Sequence, residues 1–500
     1  MNWLRNLWRR LDSPWIGLGI AFVVVGLVHL FKNGQGFALK ELSLDEAGTW
    51  GIAVKSLWRN FTLPTEFHSQ PPFYYFFLHF LVKFGESELL MRATSWLFCL
   101  GVVGFAIFGL REINPPARVL LAVCFVLNGL TSWISHNVRP YAMAALAVFL
   151  SLVFFVRFLE DSSRKRAIAY AVATIVMLYI TPLAVWTFAM QILFGLSLVG
   201  VHLGRHGFRA TRDRYRWVAA TVLATGLLYL PYFVMAIHYQ LKPGPGMGRA
   251  LQAALVWPNF RGVIEGFSLL PQPYFFAVLG LVVLAVAAEL TARRPAVLLW
   301  LAVAVGHIGF AYGFLFGRTG VYYHYMTPAY PAFCFLVALG VHHLTQGASK
   351  HALKVTSAVV LMIALSYFAE FRASVAAPMP EQGWRRVRTA LAAIPGQKVI
   401  FMDTGYYGQF LEYYARKDHD LVLATMKGTG WASGGDNHLD RGYVEGVIRE
   451  HGTKPVCYFY RVDEGPRSQY RPAFVPAVKA LGYTEMPALE GMARYCRPEH

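Results

Sequence analysis

Charge is scarce in this chain of 500 residues, and negative charge is scarcest. Charged residues make up 15% of the sequence and hydrophobic residues 56%, with 28 acidic against 46 basic residues. An ordinary soluble protein carries about 25% charged residues, so the composition excludes a string of soluble domains. The mean hydropathy is +0.41. Together with repeated apolar runs, this value is typical of a polytopic membrane protein.

Cysteine is also rare, with five in the chain. Cys99, Cys124 and Cys334 lie in apolar segments, where a thiol is usually inert packing. Cys457 and Cys496 lie in the polar C-terminal region. They can pair if that region is outside the cytoplasm, although the sequence does not show that they meet.

The formal net charge of +18 does not indicate a nucleic-acid partner. The Lys and Arg residues occupy loops between apolar runs, and no basic face or RNA-binding motif accompanies them. They are concentrated in alternate loops, which predicts a cytoplasmic N-terminus. The first apolar run, 16–31, lacks a small-residue cleavage pattern and is predicted to be an uncleaved span.

Apolar runs near 20 residues predict about eleven transmembrane helices, and no internal repeat is present. The runs are 16–31, 93–110, 117–133, 141–158, 166–182, 184–202, 217–235, 273–290, 296–316, 325–343 and 354–370. Phe73–Phe84 would form a helix of only about 18 Å, too short for a core of about 30 Å, so it is predicted to lie at the interface.

Beyond about Phe371, short apolar runs alternate with helical patterns, which predicts a small α/β domain. The expected fold is therefore an all-α polytopic membrane domain over 1–370, whose first outer loop is 33–92, followed by a soluble α/β domain over 371–500. This second domain is expected on the non-cytoplasmic side of the plasma (inner) membrane.

Asp45 and Glu46 form an adjacent acidic pair just after the first span. Two carboxylates beside a membrane can provide a general base, a metal site, or both. Acids in the first turn of an interfacial helix are the plainer interpretation. His68 follows, and with carboxylates it can complete a divalent metal site. Equally, it can be a surface histidine at the start of the interfacial helix.

Two further segments combine cations and aromatic rings near predicted span ends. Arg139 and Tyr141 stand in the first, and an arginine there can hold a phosphate through its planar fork. Arg318, His324 and Tyr325 stand in the second, where they can line a lipid-phosphate or sugar site. For both segments the alternative is an aromatic belt with lipid headgroups as partners.

Two other features are predicted to have no catalytic role. His307 lies within a predicted span, and a hydrogen-bonded core histidine is favoured there over a proton relay. The glycine-rich segment MKGTGWASGG has neither the strand-then-helix context nor the lysine of a phosphate loop, so no nucleotide cofactor is expected.

Four segments together resemble the GT-C class of dolichyl- or polyprenyl-phosphate-sugar glycosyltransferases, which includes the protein O-mannosyltransferases and the aminoarabinose transferases. They are SLDEAGTWGIA, HSQPPFYYFFLHFLVKFGESELLMRATS, WISHNVRPYAMAAL and YYHYMTPAYPAF, which occur in the order of the family's motifs. The resemblance covers roughly residues 1–345. Two residues depart from the pattern: Asn137 where relatives often carry an acid, and His324 where they often carry arginine.

The resemblance implies that a sugar moves from a polyprenyl-phosphate donor to a lipid, glycan or protein acceptor, with inversion at C1. Asp45 would deprotonate the acceptor, while Glu46 and His68 would orient it or hold a divalent ion. Arg139 and Arg318, with Tyr141, His324 and Tyr325 beside them, would bind the donor phosphate. A non-catalytic binding or assembly protein of this fold and a lipid or solute transporter remain the alternatives.

Overall fold

The structure is a computed structural model. It describes residues 14–38, 42–68, 70–240, 272–315, 323–346, 384–402, 413–414, 421–425, 447–451, 454–461, 471–489 and 492–497. The chain divides into two compact units. The first comprises Met1–Ala38, Ser69–His238 and Gly246–Pro378, and the second comprises Leu39–His68, Tyr239–Pro245 and Met379–His500. Residues 39–68 of the first long loop therefore cluster with the C-terminal residues.

Helices make up most of the described chain. In chain order they are α1 (Pro14–Ala38), α2 (Leu44–Ala53), α3 (Leu57–His68), α4 (Phe73–Val82), α5 (Glu88–Gly104), α6 (Pro115–Leu127), α7 (Gly129–Ser135), α8 (Tyr141–Glu160), α9 (Arg164–Leu178), α10 (Ala184–Gln240), α11 (Gln272–Thr291), α12 (Ala296–Leu315), α13 (Tyr330–Thr345), α14 (Trp384–Ala392) and α15 (Arg471–Ala480). A π-helical turn, Phe105–Gly109, extends α5, and a 3-10 turn, Tyr323–Met326, precedes α13.

Fewer membrane-spanning helices are found than the sequence predicted. Among the described residues, three helices are long and apolar enough to cross a membrane: Glu88–Gly109, Tyr141–Glu160 and Ala184–Ile237. A fourth results if α6 and α7, which are bent by 67°, form one span. Five further apolar helical stretches are 10–17 residues long: Trp15–Phe31, Phe73–Val82, Val278–Thr291, Ala296–Ala311 and Tyr330–Thr345. The predicted span 354–370 lies outside the described residues. The count of about eleven is therefore not confirmed.

Helix α10 is two antiparallel arms. At Gly207 the backbone leaves helical geometry, with φ of 78° and ψ of 176°, a region that favours glycine because it has no Cβ. On either side of this residue the arms touch: the Phe188 ring lies against Gly226, and His202 Nδ1 lies 2.9 Å from Thr211 Oγ1. The apolar runs predicted at 184–202 and 217–235 are these two arms.

A buried polar network joins α8, α9 and α10. Gln191 Nε2 donates to Ser151 Oγ at 2.9 Å, and Ser151 Oγ lies 2.8 Å from Thr174 Oγ1. Tyr170 donates its hydroxyl hydrogen to Gln191 Oε1 at 3.1 Å. All four side chains are fully buried. In an apolar bundle such hydrogen bonds fix which helix faces meet.

We predict that Ser151→Ala lowers the free energy of unfolding by about 1 kcal/mol, because Gln191 and Thr174 both lose a partner. Ser197→Ala is the matched control, since Ser197 is exposed and bonds only within its own helix, to Leu193 O. Thermal unfolding of the purified protein in detergent measures both. Equal effects of the two substitutions would contradict a stabilising role for the network.

An ion pair closes the turn between the π-helical turn and α6. Arg157 Nε donates to Glu112 Oε1 at 2.6 Å, and Arg157 Nη2 donates to the carbonyl of Gly109 at 2.6 Å. Burial by itself would raise the pKa of the Glu112 carboxyl. The hydrogen bond and positive charge of Arg157 and two backbone hydrogen bonds outweigh burial, so this pKa lies below its ordinary value.

A lowered pKa means that the charged carboxylate stabilises the fold above the unfolded pKa of 4.5 and that this stabilisation is lost as the pH falls through the lower folded value. We therefore expect the wild type to lose more stability than Glu112→Gln between pH 7 and pH 3. Glu160→Gln, which removes a 63% exposed partner of Arg166, should follow the wild-type profile. Parallel profiles for Glu112→Gln and wild type would refute the assignment.

The second unit contains a five-stranded mixed sheet in the order β2-β1-β3-β5-β4. Its strands are β1 (Lys398–Met402), β2 (Leu421–Thr425), β3 (Cys457–Arg461), β4 (Thr484–Leu489) and β5 (Met492–Cys496). β1 is parallel to β2 and β3, whereas β5 is antiparallel to β3 and β4. Phe474 and Val478 of α15 pack on Phe401 and Tyr458 of the sheet. The predicted α/β character of the C-terminal region is confirmed for its described part.

The register of the sheet pairs two of the five cysteines. Cys457 and Cys496 are directly opposite in the β3–β5 register, with Cα atoms 4.1 Å apart, and form a disulfide. Cys99, Cys124 and Cys334 are free and buried, which confirms the prediction of structural thiols.

Candidate functional site

The acidic pair stands at the start of α2, where a capping box fixes the helix. Ser43 N–H donates to Glu46 Oε2 at 2.7 Å, and Glu46 N–H donates to Ser43 Oγ at 3.4 Å. This exchange satisfies two N–H groups that a helix start otherwise leaves without partners. The helix N-terminus proposed as the plainer interpretation of the motif is therefore present.

The capping box separates the roles of the two carboxylates. Glu46 is fully buried and its carboxylate is engaged by Ser43. Asp45 is exposed, while its backbone carbonyl accepts the Thr49 hydroxyl hydrogen at 2.7 Å. A general base must reach the proton that it removes. The geometry therefore leaves Asp45 accessible to a partner molecule and makes Glu46 the residue that holds the helix start.

The described residues do not test the predicted metal site. His68 is the last residue of α3, and its side chain lies outside the described part of the structure. No group of three or more His, Cys, Asp or Glu side chains among the described residues is arranged to hold a metal ion. A divalent ion held by Glu46 and His68 stays a prediction.

In the first unit, five side chains from distant segments form one group, called here the aromatic cluster: Trp133, Arg139, Tyr141, His324 and Tyr325. The His324 ring stacks on Trp133 with centroids 4.5 Å apart and an interplanar angle of 10°. Tyr141 and Tyr325 lie 5.0 Å and 4.6 Å from His324. Arg139 Cζ lies 5.9 Å from the Tyr141 ring, within cation–π range. The two predicted segments therefore meet.

Hydrogen bonds to backbone carbonyls hold the irregular segments that carry the cluster. Ser95 Oγ donates to the carbonyl of Asn137 at 2.7 Å, and Asn137 Nδ2 donates to the carbonyl of Trp133. His307 Nε2 bonds the carbonyl of Tyr325 at 3.0 Å. Because a carbonyl only accepts, Nε2 carries the hydrogen of this imidazole. The prediction of a hydrogen-bonded core histidine at 307 is confirmed.

The Asn137 departure has a local explanation. Its amide donates a hydrogen to a backbone carbonyl at the end of α7, and its side chain is 2% exposed. An ionised carboxylate has no hydrogen to donate. An ionised acid at this position would repel the carbonyl oxygen, because both are negative. Asparagine instead donates a hydrogen bond to that oxygen.

The cluster is electropositive. Arg139 is 6% exposed, so little water screens its permanent charge. Tyr141 is the first residue of α8, whose N-terminal end carries a partial positive charge. An arginine and a helix N-terminus beside aromatic rings suit an anionic group attached to a sugar or lipid.

Sequence reasoning missed two contributors to the site and the burial of a third residue. Trp133 and Ser95 stood inside the quoted motifs but were not singled out. Arg92 was not singled out either, although it is fully buried in α5, one turn before Ser95, with Nη1 3.8 Å from Glu88 Oε2. An arginine at the start of an apolar run was the available signal. Arg318 lies outside the described residues.

A separate cavity of about 510 Å³ lies along α8, and its walls are entirely apolar. Phe98, Met143, Leu146 and Phe154 are among the side chains that line it. A surface without polar groups does not recognise a sugar or a phosphate, whereas hydrocarbon chains pack well on it.

The capping box predicts different costs for the two acids. Glu46→Ala leaves the Ser43 N–H without its acceptor and should lower stability by about 1 kcal/mol. Asp45→Asn changes an exposed side chain and should shift stability by less than about 0.5 kcal/mol. Unfolding of the two purified variants in one detergent compares them. A larger loss for Asp45→Asn would overturn the division of roles.

Solved structures share this fold over almost the whole chain. ArnT from Cupriavidus metallidurans in the apo state has a TM-score of 0.60 at 14% identity, covering 97% of this chain and 98% of that one. The same protein bound to undecaprenyl phosphate gives 0.59 at 13% identity with the same coverage. The oligosaccharyltransferase of Archaeoglobus fulgidus, tethered with an acceptor peptide, gives 0.55 at 12% identity, covering 97% of this chain and 74% of that one.

No protein-family model matches the sequence, and no curated protein matches it. The identities to the solved structures are low, so the similarity concerns architecture. ArnT and the oligosaccharyltransferase are both GT-C glycosyltransferases. The resemblance inferred from the four sequence segments is confirmed at the level of fold: the chain has the fold of the GT-C membrane glycosyltransferases.

Proposed function

We propose that this protein is a membrane glycosyltransferase that moves a sugar from a polyprenyl-phosphate donor to a lipid, glycan or protein acceptor, with Asp45 as the general base. The observation that carries the proposal is the placement of Asp45, an exposed carboxylate in the first turn of a helix whose start is fixed by a capping box. The fold shared with GT-C enzymes supports the reaction class.

The chemistry assigned to the site is a single displacement. The acceptor oxygen forms a bond to C1 of the sugar while the bond between C1 and the phosphate oxygen breaks. The acceptor proton passes to the Asp45 carboxylate, and the electrons of the broken bond remain on the polyprenyl phosphate. Attack opposite to the leaving group inverts C1. The donor is already activated, so no nucleotide is required.

Arg139 and the aromatic cluster are assigned to the donor phosphate. A buried guanidinium stabilises charge that develops on the leaving phosphate more strongly than a solvated one does. A solved structure of the same fold contains undecaprenyl phosphate, which supports a lipid phosphate as ligand. His324 in a phosphate-binding role would make donor binding depend on pH, because a protonated imidazole attracts an anion and a neutral one does not.

The disulfide supports the predicted side of the membrane. Cross-strand pairs such as Cys457–Cys496 persist in oxidising compartments and are rare in the cytosol. We therefore assign the C-terminal region to the non-cytoplasmic face of the plasma (inner) membrane.

We predict that Asp45→Asn lowers sugar transfer by about 10²- to 10⁴-fold, which is the usual contribution of a general base. Glu46→Gln is the matched control because glutamine preserves the capping box while removing the neighbouring charge, and it should retain most activity. The measurement is transfer of radiolabelled sugar from polyprenyl-phosphate donors in membranes that contain equal amounts of each protein.

Three outcomes contradict the proposal at different levels. Activity that survives Asp45→Asn but is lost in Glu46→Gln would make Glu46 the base. Activity retained in both variants would exclude the acidic pair from proton transfer. An absence of transfer by the wild type across a broad panel of donors and acceptors would overturn the enzyme and leave a binding or transport protein of this fold.

A further inference from the structure

Two tyrosines of the C-terminal region contact α2 and the residue that precedes its N-cap: Tyr414 contacts Leu42, and Tyr413 contacts Trp50. We propose that Tyr414 and Tyr413 are positioning residues for Asp45, and that holding α2 is a role of the C-terminal domain. This inference rests on the proposed function, in which Asp45 must meet the acceptor hydroxyl. All of the residues concerned belong to the second unit.

The first contact is a hydrogen bond on the N-terminal side of Asp45. The backbone N–H of Leu42 donates to the hydroxyl oxygen of Tyr414 at 2.9 Å across 372 positions of sequence. Leu42 is fully buried and Tyr414 is 6% exposed. Water therefore cannot readily replace the tyrosine, and loss of the hydroxyl leaves a buried N–H without its acceptor.

The second contact lies on the C-terminal side of Asp45. The Trp50 and Tyr413 rings meet edge to face, with centroids 5.0 Å apart and an interplanar angle of 82°. Tyr413 and Tyr414 meet in the same manner at 5.0 Å and 89°. Trp50 and Tyr413 are both buried. The two tyrosines therefore pack on each other and contact the chain on both sides of Asp45: three residues before it, at Leu42, and five residues after it, at Trp50.

A ten-residue helix requires such support. Helices shorter than about 12 residues are marginal in isolation, and the capping box fixes only the local geometry of the first turn. The box sets where the Asp45 side chain leaves the helix, whereas the tyrosines contact the chain on both sides of Asp45. A displacement of about 1 Å at a reacting group can cost about 10²-fold in rate.

The test compares two buried tyrosine hydroxyls of the same domain. Tyr414→Phe removes the acceptor for Leu42 and retains the ring. Tyr483→Phe removes a hydroxyl that donates to the carbonyl of Pro455, far in sequence from α2. We expect Tyr414→Phe to lower kcat about tenfold, which corresponds to about 1.4 kcal/mol, with the donor KM within about twofold. Tyr483→Phe should keep the wild-type kcat.

Hydrogen exchange followed by mass spectrometry gives a readout that does not require activity. In Tyr414→Phe, amides of the segment 42–53 should exchange about tenfold faster, while those of the sheet strands stay unchanged. In Tyr483→Phe, exchange should rise near 455 and 483 and remain unchanged over 42–53. Should Tyr414→Phe not yield folded protein, Tyr413→Leu, which removes the aromatic edge against Trp50, replaces it with the same expectations.

Failure of this inference differs from failure of the proposed function. If the wild type transfers sugar and Tyr414→Phe lowers kcat no more than Tyr483→Phe, the positioning role is wrong while the enzyme stands. Unchanged exchange over 42–53 in Tyr414→Phe overturns the contact itself. If the wild type transfers no sugar, the proposed function falls and the positioning role falls with it, whereas faster exchange over 42–53 would still establish the contact.

Discussion

A polar group that is buried in an apolar interior needs a hydrogen-bond partner, and the rest of this structure depends on this constraint. Where helices break, carbonyl oxygens lose their helical partners, and lipid or packed side chains cannot replace them. Ser95, Asn137 and His307 supply hydrogens to three such carbonyls, those of Asn137, Trp133 and Tyr325. Irregular backbone is thereby made rigid, and it is this backbone that presents the aromatic cluster.

The same constraint distinguishes the groups that bond to nearby backbone from those that the proposed chemistry uses. Glu46 and Asn137 are polar residues of the quoted motifs, and both are almost fully buried. Each forms a hydrogen bond with a nearby backbone group. Asp45 differs because it is exposed at a fixed helix start. Arg139 differs because its charge is permanent and stands among aromatic rings beside a helix N-terminus. Asp45 and Arg139 are therefore the groups to which the proposed chemistry is assigned.

Sequence reasoning succeeded where a local pattern carries the information and was incomplete elsewhere. Four of the five residues of the aromatic cluster are candidates that the sequence itself indicates, and the structure brings them together. Their role in binding stays a prediction. Trp133 was missed because a tryptophan in an apolar run is ordinary packing until His324, almost 200 positions later, stacks on it. The span count was not confirmed, because hydropathy identifies apolar runs and does not set helix lengths or bends.

By itself the sequence determined the class of the molecule, because hydrophobic run length, loop charge and strand-like alternation are local properties. It also determined the motifs and the alternative roles of Asp45 and Glu46. Only the tertiary structure decided which acid is buried, that Cys457 faces Cys496, and that Tyr414 contacts Leu42. These contacts and exposures depend on segments up to 372 positions apart. A local sequence pattern does not determine which distant segment packs against it.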